Sequence, residues 1–152
     1  MNISSLFGAV ALSVCCMAAA QAQVTGIEVV ASDDAPKAIG PYSQAIRAGN
    51  VLYLSGQIPI DPKSGELKKD APVEAQTKLV LENLQAVLAA NGMTMGHIVS
   101  TTVYMKDLNE FGKMNDVYAG FFPANPPARA TVQVARLPRD VSVEIGAIAV
   151  KP

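Results

Sequence analysis

The sequence predicts a single α+β domain in which two helices pack on one face of a mixed β-sheet. Segments rich in Val, Ile and Thr indicate strands, and two longer stretches carry apolar residues at helical spacing. In chain order the elements are strands, helix, strand, helix and strands, with no internal repeat and no linker. A helix layer on one side of a sheet buries the apolar faces of both, which favours this class.

Composition limits the class of function. The chain has 152 residues, of which 16% are charged, and its formal net charge is −1. The 12 Lys and Arg residues are spread along the chain without a run, so we expect no extended surface for nucleic-acid phosphates. One globular domain is the natural count for this length.

Residues 1–22 differ in composition from the rest. They contain no acidic or basic residue, they are rich in small and apolar residues, and Ala20-Gln21-Ala22 fits a small-x-small cleavage site. We expect a secretory signal peptide over 1–22, export to the periplasm of a bacterium, and a mature domain over 23–152 with no membrane attachment after cleavage. A membrane anchor is the less favoured alternative, because the apolar run is short for a bilayer span.

Cysteine and histidine usage narrows the chemistry further. Cys15 and Cys16 both lie in the predicted signal peptide, and His97 is the only histidine. We therefore expect a mature domain without a disulfide, a thiol nucleophile or a zinc site. The expected chemistry uses no metal and no cofactor.

The first part of the mature chain is predicted to form strands. An edge strand is expected over 27–31, and Gly49-Asn50 between two apolar segments is typical of a two-residue hairpin turn. The hairpin strands are expected over 45–48 and over 51–59.

The next stretch changes to a helical period. From about Ala71 to Ala90 the apolar residues form one stripe, which predicts an amphipathic helix. Asp70 is expected to cap its start, and Asn91-Gly92 is expected to end it.

A strand over 97–105 and a second helix are expected to follow. Asp107 and Glu110 have the spacing of a capping box, and Pro123 ends the helical pattern. The residues expected on the buried side of this helix are Phe111, Met114, Tyr118 and Phe121.

The last two predicted strands carry an Arg and a Glu. Joined as a hairpin through a turn at 137–140, they would place Arg129, Thr131 and Glu144 on one face, with Gly146 opening space between them. Arg129 and Glu144 would then lie roughly 13 Å apart, which leaves room for a small anion and a water. A carboxylate inside an apolar strand needs a partner, a ligand or solvent. The alternative is a solvated Arg and an outward-facing Glu on a half-exposed sheet.

Five sequence segments, taken together in their order along the chain, identify a protein family more specifically than any one short motif does. They are IGPYSQA at 39–45, LYLSGQIP at 52–59, TTVYMKDLNEF at 101–111, MNDVYAGFF at 114–122 and PPARATVQVARLPRDVSVEIGAIAV at 126–150. Over essentially all of the mature domain, the chain resembles the Rid (RidA-like) family of 2-iminobutanoate/2-iminopropanoate deaminases. The resemblance implies a chorismate-mutase-like fold, a homotrimer with clefts between subunits, and hydrolysis of 2-imino or enamine acids to 2-oxo acids and ammonia.

The resemblance also implies roles for individual residues. Arg129 matches the residue that binds the substrate carboxylate, and Glu144 matches the residue that positions water. Further residues match the substrate-binding positions of the cleft. They are Tyr42, Ser55, Gly56, Asn115 and Thr131. Thr131 stands where the best-studied branch of the family commonly has Cys. This departure and the predicted export keep an alternative open: a noncatalytic binder of small carboxylates, or a holdase-type interaction protein in the periplasm.

Overall fold

A computed structural model describes residues 26–152. The predicted signal peptide and its cleavage site lie outside these residues. The two helices are α1, Val73–Ala90, and α2, Phe111–Phe121. The strands are β1 Ile27–Val30, β2 Ala45–Ala48, β3 Val51–Gln57, β4 Ile98–Met105, β5 Ala128–Gln133 and β6 Val143–Val150. All six belong to one sheet in the order β1-β2-β3-β6-β4-β5. The β4–β5 pair is parallel and the other pairs are antiparallel, so the sheet is mixed as predicted.

The core lies between the two helices and one face of the sheet. Leu52 of β3, Val103 of β4 and Ile145 of β6 are fully buried in it. The apolar stripe predicted for α1 is buried against them along its whole length. Its members are Val73, Thr77, Val80, Leu84, Val87 and Leu88. Each fully buried aliphatic side chain stabilises the fold by roughly 1.5–3 kcal/mol. The predicted α+β architecture, with two helices on one sheet face, is confirmed.

The structure confirms the predicted C-terminal end of α1 but not its predicted N-terminal cap. Pro72 precedes the first helical residue and no side chain caps it, so the expected cap by Asp70 is wrong. Proline has no side-chain acceptor, so the N–H groups of the first turn receive no side-chain cap from it. The C-terminal end is as predicted, because Asn91 is the cap residue and Gly92 takes a left-handed φ of 64°.

The start of α2 is built in two steps. The Asp107 carboxylate accepts a hydrogen bond of 2.9 Å from the backbone N–H of Asn109 and opens a single 3-10 turn at Leu108–Glu110. The α-helix follows directly from Phe111. Met114 and Tyr118 are buried as predicted. The expected burial of Phe111 is wrong, since 38% of this residue is exposed at the start of the helix.

The expected hairpin of the last two strands is wrong. β6 lies between β3 and β4, and β5 is an edge strand paired in parallel with β4. Because α2 connects β4 to β5, it supplies the crossover that a parallel pair requires. The segment 134–142 then returns across the end of β4, and its 3-10 turn at Pro138–Asp140 does not join neighbouring strands.

This topology places the two catalytic candidates on opposite faces of the sheet. Arg129 pairs with Thr101 of β4, whereas Glu144 pairs with Tyr104. Side chains alternate along a strand, so Thr101 and Tyr104 project to opposite sides. Thr101 points towards α2, where its hydroxyl lies 2.7 Å from that of Tyr118. Arg129 is therefore on the helix face and Glu144 on the open face, and the shared face expected from the hairpin register is wrong.

The open face of the sheet carries exposed apolar side chains. Val29, Ile46, Tyr53 and Ile148 form one row across β1, β2, β3 and β6. Val29 is 69% exposed and Tyr53 is 49% exposed. Contiguous exposed apolar surface is typical of faces that pack against another molecule. Within the region that the structure describes, no helix is long and apolar enough to cross a bilayer.

Candidate active site

The site residues predicted from the sequence form two separate groups in one chain. The arginine cluster, on the helix face, consists of Arg129, Asn115, Tyr118 and Phe111. The glutamate cluster, on the open face, consists of Glu144, Tyr42, Ser55 and Gly56. Thr131 lies on the helix face beside the arginine cluster.

The arginine cluster is built by β5 and α2. Arg129 Cζ lies 4.4 Å from the ring centroid of Tyr118 and 5.6 Å from that of Phe111, within the range of a cation–π interaction. Arg129 Nη2 donates a hydrogen bond of 2.8 Å to Asn115 Oδ1. The three partners occupy one face of α2, because Asn115 follows Phe111 by four positions and Tyr118 follows by three more.

The charge of Arg129 has no anionic partner in the described residues. The ion pairs between 26 and 152 involve other Arg and Lys side chains. Arg129 is only partly exposed, and a partly desolvated guanidinium is suited to two parallel hydrogen bonds with a carboxylate. A cavity of about 420 Å³ opens beside it. It is lined by Asn115, Tyr118, Ala119, Phe122, Pro126, Pro127 and Arg129.

Thr131 follows Arg129 by two positions and projects to the same side of β5. It pairs with Val103 of β4. Its Oγ1 atom is buried and has no hydrogen-bond partner among the described residues. Buried hydroxyls are normally hydrogen-bonded, so the fold leaves one polar atom beside Arg129 unsatisfied.

The glutamate cluster depends on a close approach between β6 and β3. The ladder between these strands shifts register between Leu54 and Gln57, and Gly56 lies in this bulge. A Cβ atom at Gly56 would overlap Glu144 Oε1 and lie 3.0 Å from its Cδ. Glycine is therefore required for the carboxylate to lie against the β3 backbone. Burial raises the pKa of Glu144 above its ordinary value, which suits a group that takes up and returns a proton.

A cavity of about 300 Å³ opens in front of Glu144. The Ser55 hydroxyl donates a hydrogen bond of 2.6 Å to the backbone oxygen of Ser43, and the Tyr42 hydroxyl accepts one of 3.3 Å from the N–H of Ile39. The first bond attaches the 39–43 loop to β3, and the second holds the Tyr42 side chain against its own loop. The lining residues are Ile39, Tyr42, Ser55, Gly56, Ile58, Pro138 and Glu144. Between residues 26 and 152, no group of three or more His, Cys, Asp or Glu side chains could hold a metal ion.

The structure therefore brings the predicted residues together in two halves. Tyr42, Ser55 and Gly56 surround Glu144, whereas Asn115 contacts Arg129. The sequence indicated Tyr118 only as a core residue of α2, but it also contacts Arg129. Its position three residues after Asn115 on the same helix face is the signal that could have identified it.

Comparison with known proteins agrees with the fold and the motifs. Residues 32–151 match the family described as Endoribonuclease L-PSP. A RutC family protein of Pyrococcus horikoshii is 55% identical over 124 residues, which cover 82% of this chain and 98% of that protein. The 2-iminobutanoate/2-iminopropanoate deaminase of Escherichia coli K12 is 49% identical over 127 residues, which cover 82% of this chain and 98% of that protein.

A solved structure of a related protein has the same fold. Escherichia coli TdcF with bound serine superposes with a TM-score of 0.79 at 45% identity, covering 82% of this chain and 99% of that one. The match includes the sheet and both helices, because it covers nearly the whole described region. The chain belongs to the Endoribonuclease L-PSP family, which is also the family of the RutC and RidA proteins.

Proposed function

We propose that this protein hydrolyses 2-imino acids and their enamine tautomers to 2-oxo acids and ammonia, without a cofactor. The observation that carries the proposal is Arg129, a partly buried cation that lies beside an open cavity and has no carboxylate partner among residues 26–152. Such a cation favours a small ligand with a carboxylate. The 49% identity to a protein named 2-iminobutanoate/2-iminopropanoate deaminase supports the same substrate class.

Arg129 binds the substrate carboxylate in this mechanism. A guanidinium has five N–H donors, and Asn115 occupies one of them. Two parallel donors remain available for the two carboxylate oxygens, which fixes the imino acid in one orientation. The Thr131 hydroxyl, which has no hydrogen-bond partner within residues 26–152, lies on the same side of β5 and plays a supporting role.

Glu144 positions the water and transfers protons. Water attacks the carbon of the protonated C=N bond, a C–O bond forms, and the Glu144 carboxylate takes the proton that the water loses. Glu144 then gives this proton to the nitrogen. The C–N bond breaks to release ammonia as the hydroxyl proton passes back to Glu144 and then to solvent, leaving the 2-oxo acid. An imine is electrophilic when protonated, so this route needs neither a covalent nucleophile nor a Lewis acid.

We propose that the complete site forms between subunits of a homotrimer. In one chain the arginine and glutamate clusters face opposite sides of the sheet, so one substrate cannot contact both. A ring in which the arginine cluster of each subunit meets the glutamate cluster of its neighbour solves this problem by symmetry. The exposed apolar row on the open face supports association. Light scattering on residues 23–152 should give about three times the chain mass.

The alternative function is carboxylate binding without hydrolysis. One observation favours it: the related TdcF has been solved with bound serine, and serine has a carboxylate but no C=N bond. A coupled assay separates the two functions. Imino acids are generated with an amino-acid oxidase, and their decay is followed with and without the protein, while calorimetry measures binding of 2-oxobutanoate. Faster decay supports the deaminase, whereas binding without faster decay supports the binder.

Export remains part of the proposal because of the composition of residues 1–22. The cytoplasm is then not the place where the substrate is consumed. N-terminal sequencing of the protein from its host should begin at or near Gln23. An intact Met1 on the cytoplasmic protein would contradict export and leave the proposed reaction unaffected.

A further inference from the structure

We propose that Tyr118 is a positioning residue, whose ring holds the Arg129 guanidinium in the plane in which it binds a carboxylate. This inference rests on the proposed function, because it takes the carboxylate contact of Arg129 from there. Tyr118 acts through Arg129, because its ring lies against the Arg129 guanidinium.

The ring of Tyr118 is fixed at its hydroxyl and along its side. Its hydroxyl and Thr101 Oγ1 lie 2.7 Å apart, and the two residues are 4% and 2% exposed. The ring of Phe122 packs beside it, with centroids 4.7 Å apart and a tilt of 35°. Burial raises the pKa of Tyr118, so its hydroxyl stays neutral and remains a partner for Thr101. The bond to Thr101 ties α2 to β4, directly beside the position where Arg129 pairs in the sheet.

The fixed ring limits the freedom of the Arg129 side chain. Arginine is long and flexible, and ordering such a side chain at the moment of binding weakens affinity. With its Cζ 4.4 Å from the Tyr118 ring centroid and its Nη2 bound to Asn115, the guanidinium is held at one face and at one edge. The arrangement prepares the group for a planar ligand before the ligand arrives.

A role in core packing alone would make a different prediction. Tyr118 belongs to the main apolar core, so any substitution there changes stability. Loss of packing alone lowers the melting temperature and does not specifically weaken carboxylate binding. Loss of positioning raises KM and weakens carboxylate binding more than it lowers kcat. These effects occur only when Arg129 is present.

The test compares three variants with the wild type and repeats Tyr118→Leu in an Arg129→Ala background. Tyr118→Leu removes the ring and keeps an apolar side chain. Phe121→Leu is the matched control, since Phe121 is a partly buried aromatic residue on the same helix. The double variant Thr101→Val/Tyr118→Phe keeps the ring and leaves no hydroxyl without its partner. Each is measured for KM and kcat on an enzymatically generated imino acid and for the Kd of 2-oxobutanoate.

We expect Tyr118→Leu to raise both KM and the Kd of 2-oxobutanoate by about tenfold or more, because a desolvated cation–π contact is lost. The double variant keeps the ring but loses the bond to Thr101 that fixes it, so it should raise both values less than Tyr118→Leu does. Phe121→Leu should change neither. In an Arg129→Ala background, Tyr118→Leu should weaken binding no further, as expected for residues that act through one another.

Two results would overturn the inference. Tyr118→Leu could behave like Phe121→Leu, or it could weaken binding equally with and without Arg129. If Tyr118→Leu fails to fold, Tyr118→Met replaces it, since Met is flexible and fills the space without a ring. Failure of the proposed function is distinguishable, because the wild type would then not accelerate imine decay, whereas the inference about Tyr118 is read from the Kd of 2-oxobutanoate across the variants.

Discussion

Arg129 and Glu144 lie on opposite faces of the sheet, although their pairing partners on β4, Thr101 and Tyr104, are close in sequence. Each is surrounded by its own group of predicted site residues and its own cavity. A single chain therefore presents two half-sites, and we propose that chemistry that needs both residues draws them from different subunits.

Arg129→Ala should reduce kcat/KM for imine hydrolysis at least tens-fold while the trimer and its melting temperature stay nearly intact. A charge-assisted bidentate contact contributes roughly 2–5 kcal/mol, and its loss explains such a decrease. Arg129→Lys should restore little, because an ammonium keeps the charge without the planar geometry. The coupled decay assay measures all variants. Arg47→Ala, which removes an exposed partner of Glu28, is the control, and full activity in Arg129→Ala would place the carboxylate contact elsewhere.

Gly56→Ala should abolish most activity at little cost in stability. The added methyl group overlaps the end of the Glu144 side chain, so the carboxylate must turn away from its position against β3. Kinetics measures the loss of activity, and calorimetry on the same preparation measures the change in stability. Gly120→Ala is the matched control, because a Cβ atom there meets nothing within 4 Å and alanine favours the helix. Wild-type kinetics in Gly56→Ala would show that the position of the carboxylate does not matter.

Glu144→Gln should lower activity roughly 10²-fold or more and raise the melting temperature at neutral pH. Burial raises the pKa of Glu144 in the folded chain above its ordinary 4.5. The stability of the wild type therefore falls as pH rises through the folded-state pKa, and the neutral amide avoids this loss. Calorimetry should show a gain at pH 7 that disappears below about pH 4.

The exposed carboxylate of Glu66 provides the control for this comparison. Glu66 pairs with Lys68 at the surface, and exposed pairs contribute little to stability. Glu66→Gln should therefore show no gain at neutral pH. A Glu144→Gln variant that melts below the wild type at pH 7 would contradict the sign given above.

Thr131→Val should raise the melting temperature and lower activity less than Arg129→Ala does. The hydroxyl that it removes is buried and has no partner in the part of the chain that the structure describes, and an unsatisfied buried polar atom costs about 1–3 kcal/mol. Thermal unfolding and steady-state kinetics report the two effects separately. An activity loss equal to that of Arg129→Ala would make the Thr131 hydroxyl a principal contact of the substrate.

Local patterns predicted the elements well, and long-range pairing was the part they missed. The Gly49-Asn50 hairpin and the α1 stripe depend on neighbours in sequence, so periodicity and turn chemistry were sufficient. The partner of β5 was predicted wrongly, because two adjacent strands with a turn between them also fit a hairpin. The helix between β4 and β5 was the signal for parallel pairing, since such pairs need a crossover.

The candidate site residues were named from family motifs, and their arrangement in space was not predicted. Family motifs identified Arg129, Glu144 and their neighbours, and the structure brings each into one of two clusters. The separation of those clusters follows from the strand order, which no single motif contains. The requirement for glycine at position 56 follows from contact with a residue distant in sequence, so it too became apparent only from the fold.

Mixing Arg129→Ala and Glu144→Gln subunits tests the shared site most directly. The two inactive variants are unfolded together, refolded as mixed trimers and assayed for imine decay beside wild type treated in the same way. A site that takes Arg129 from one subunit and Glu144 from its neighbour is intact in about a quarter of random pairings. We therefore predict recovery of about a quarter of the wild-type activity. A mixture as inactive as its two parents, beside active refolded wild type, would contradict a site shared between subunits.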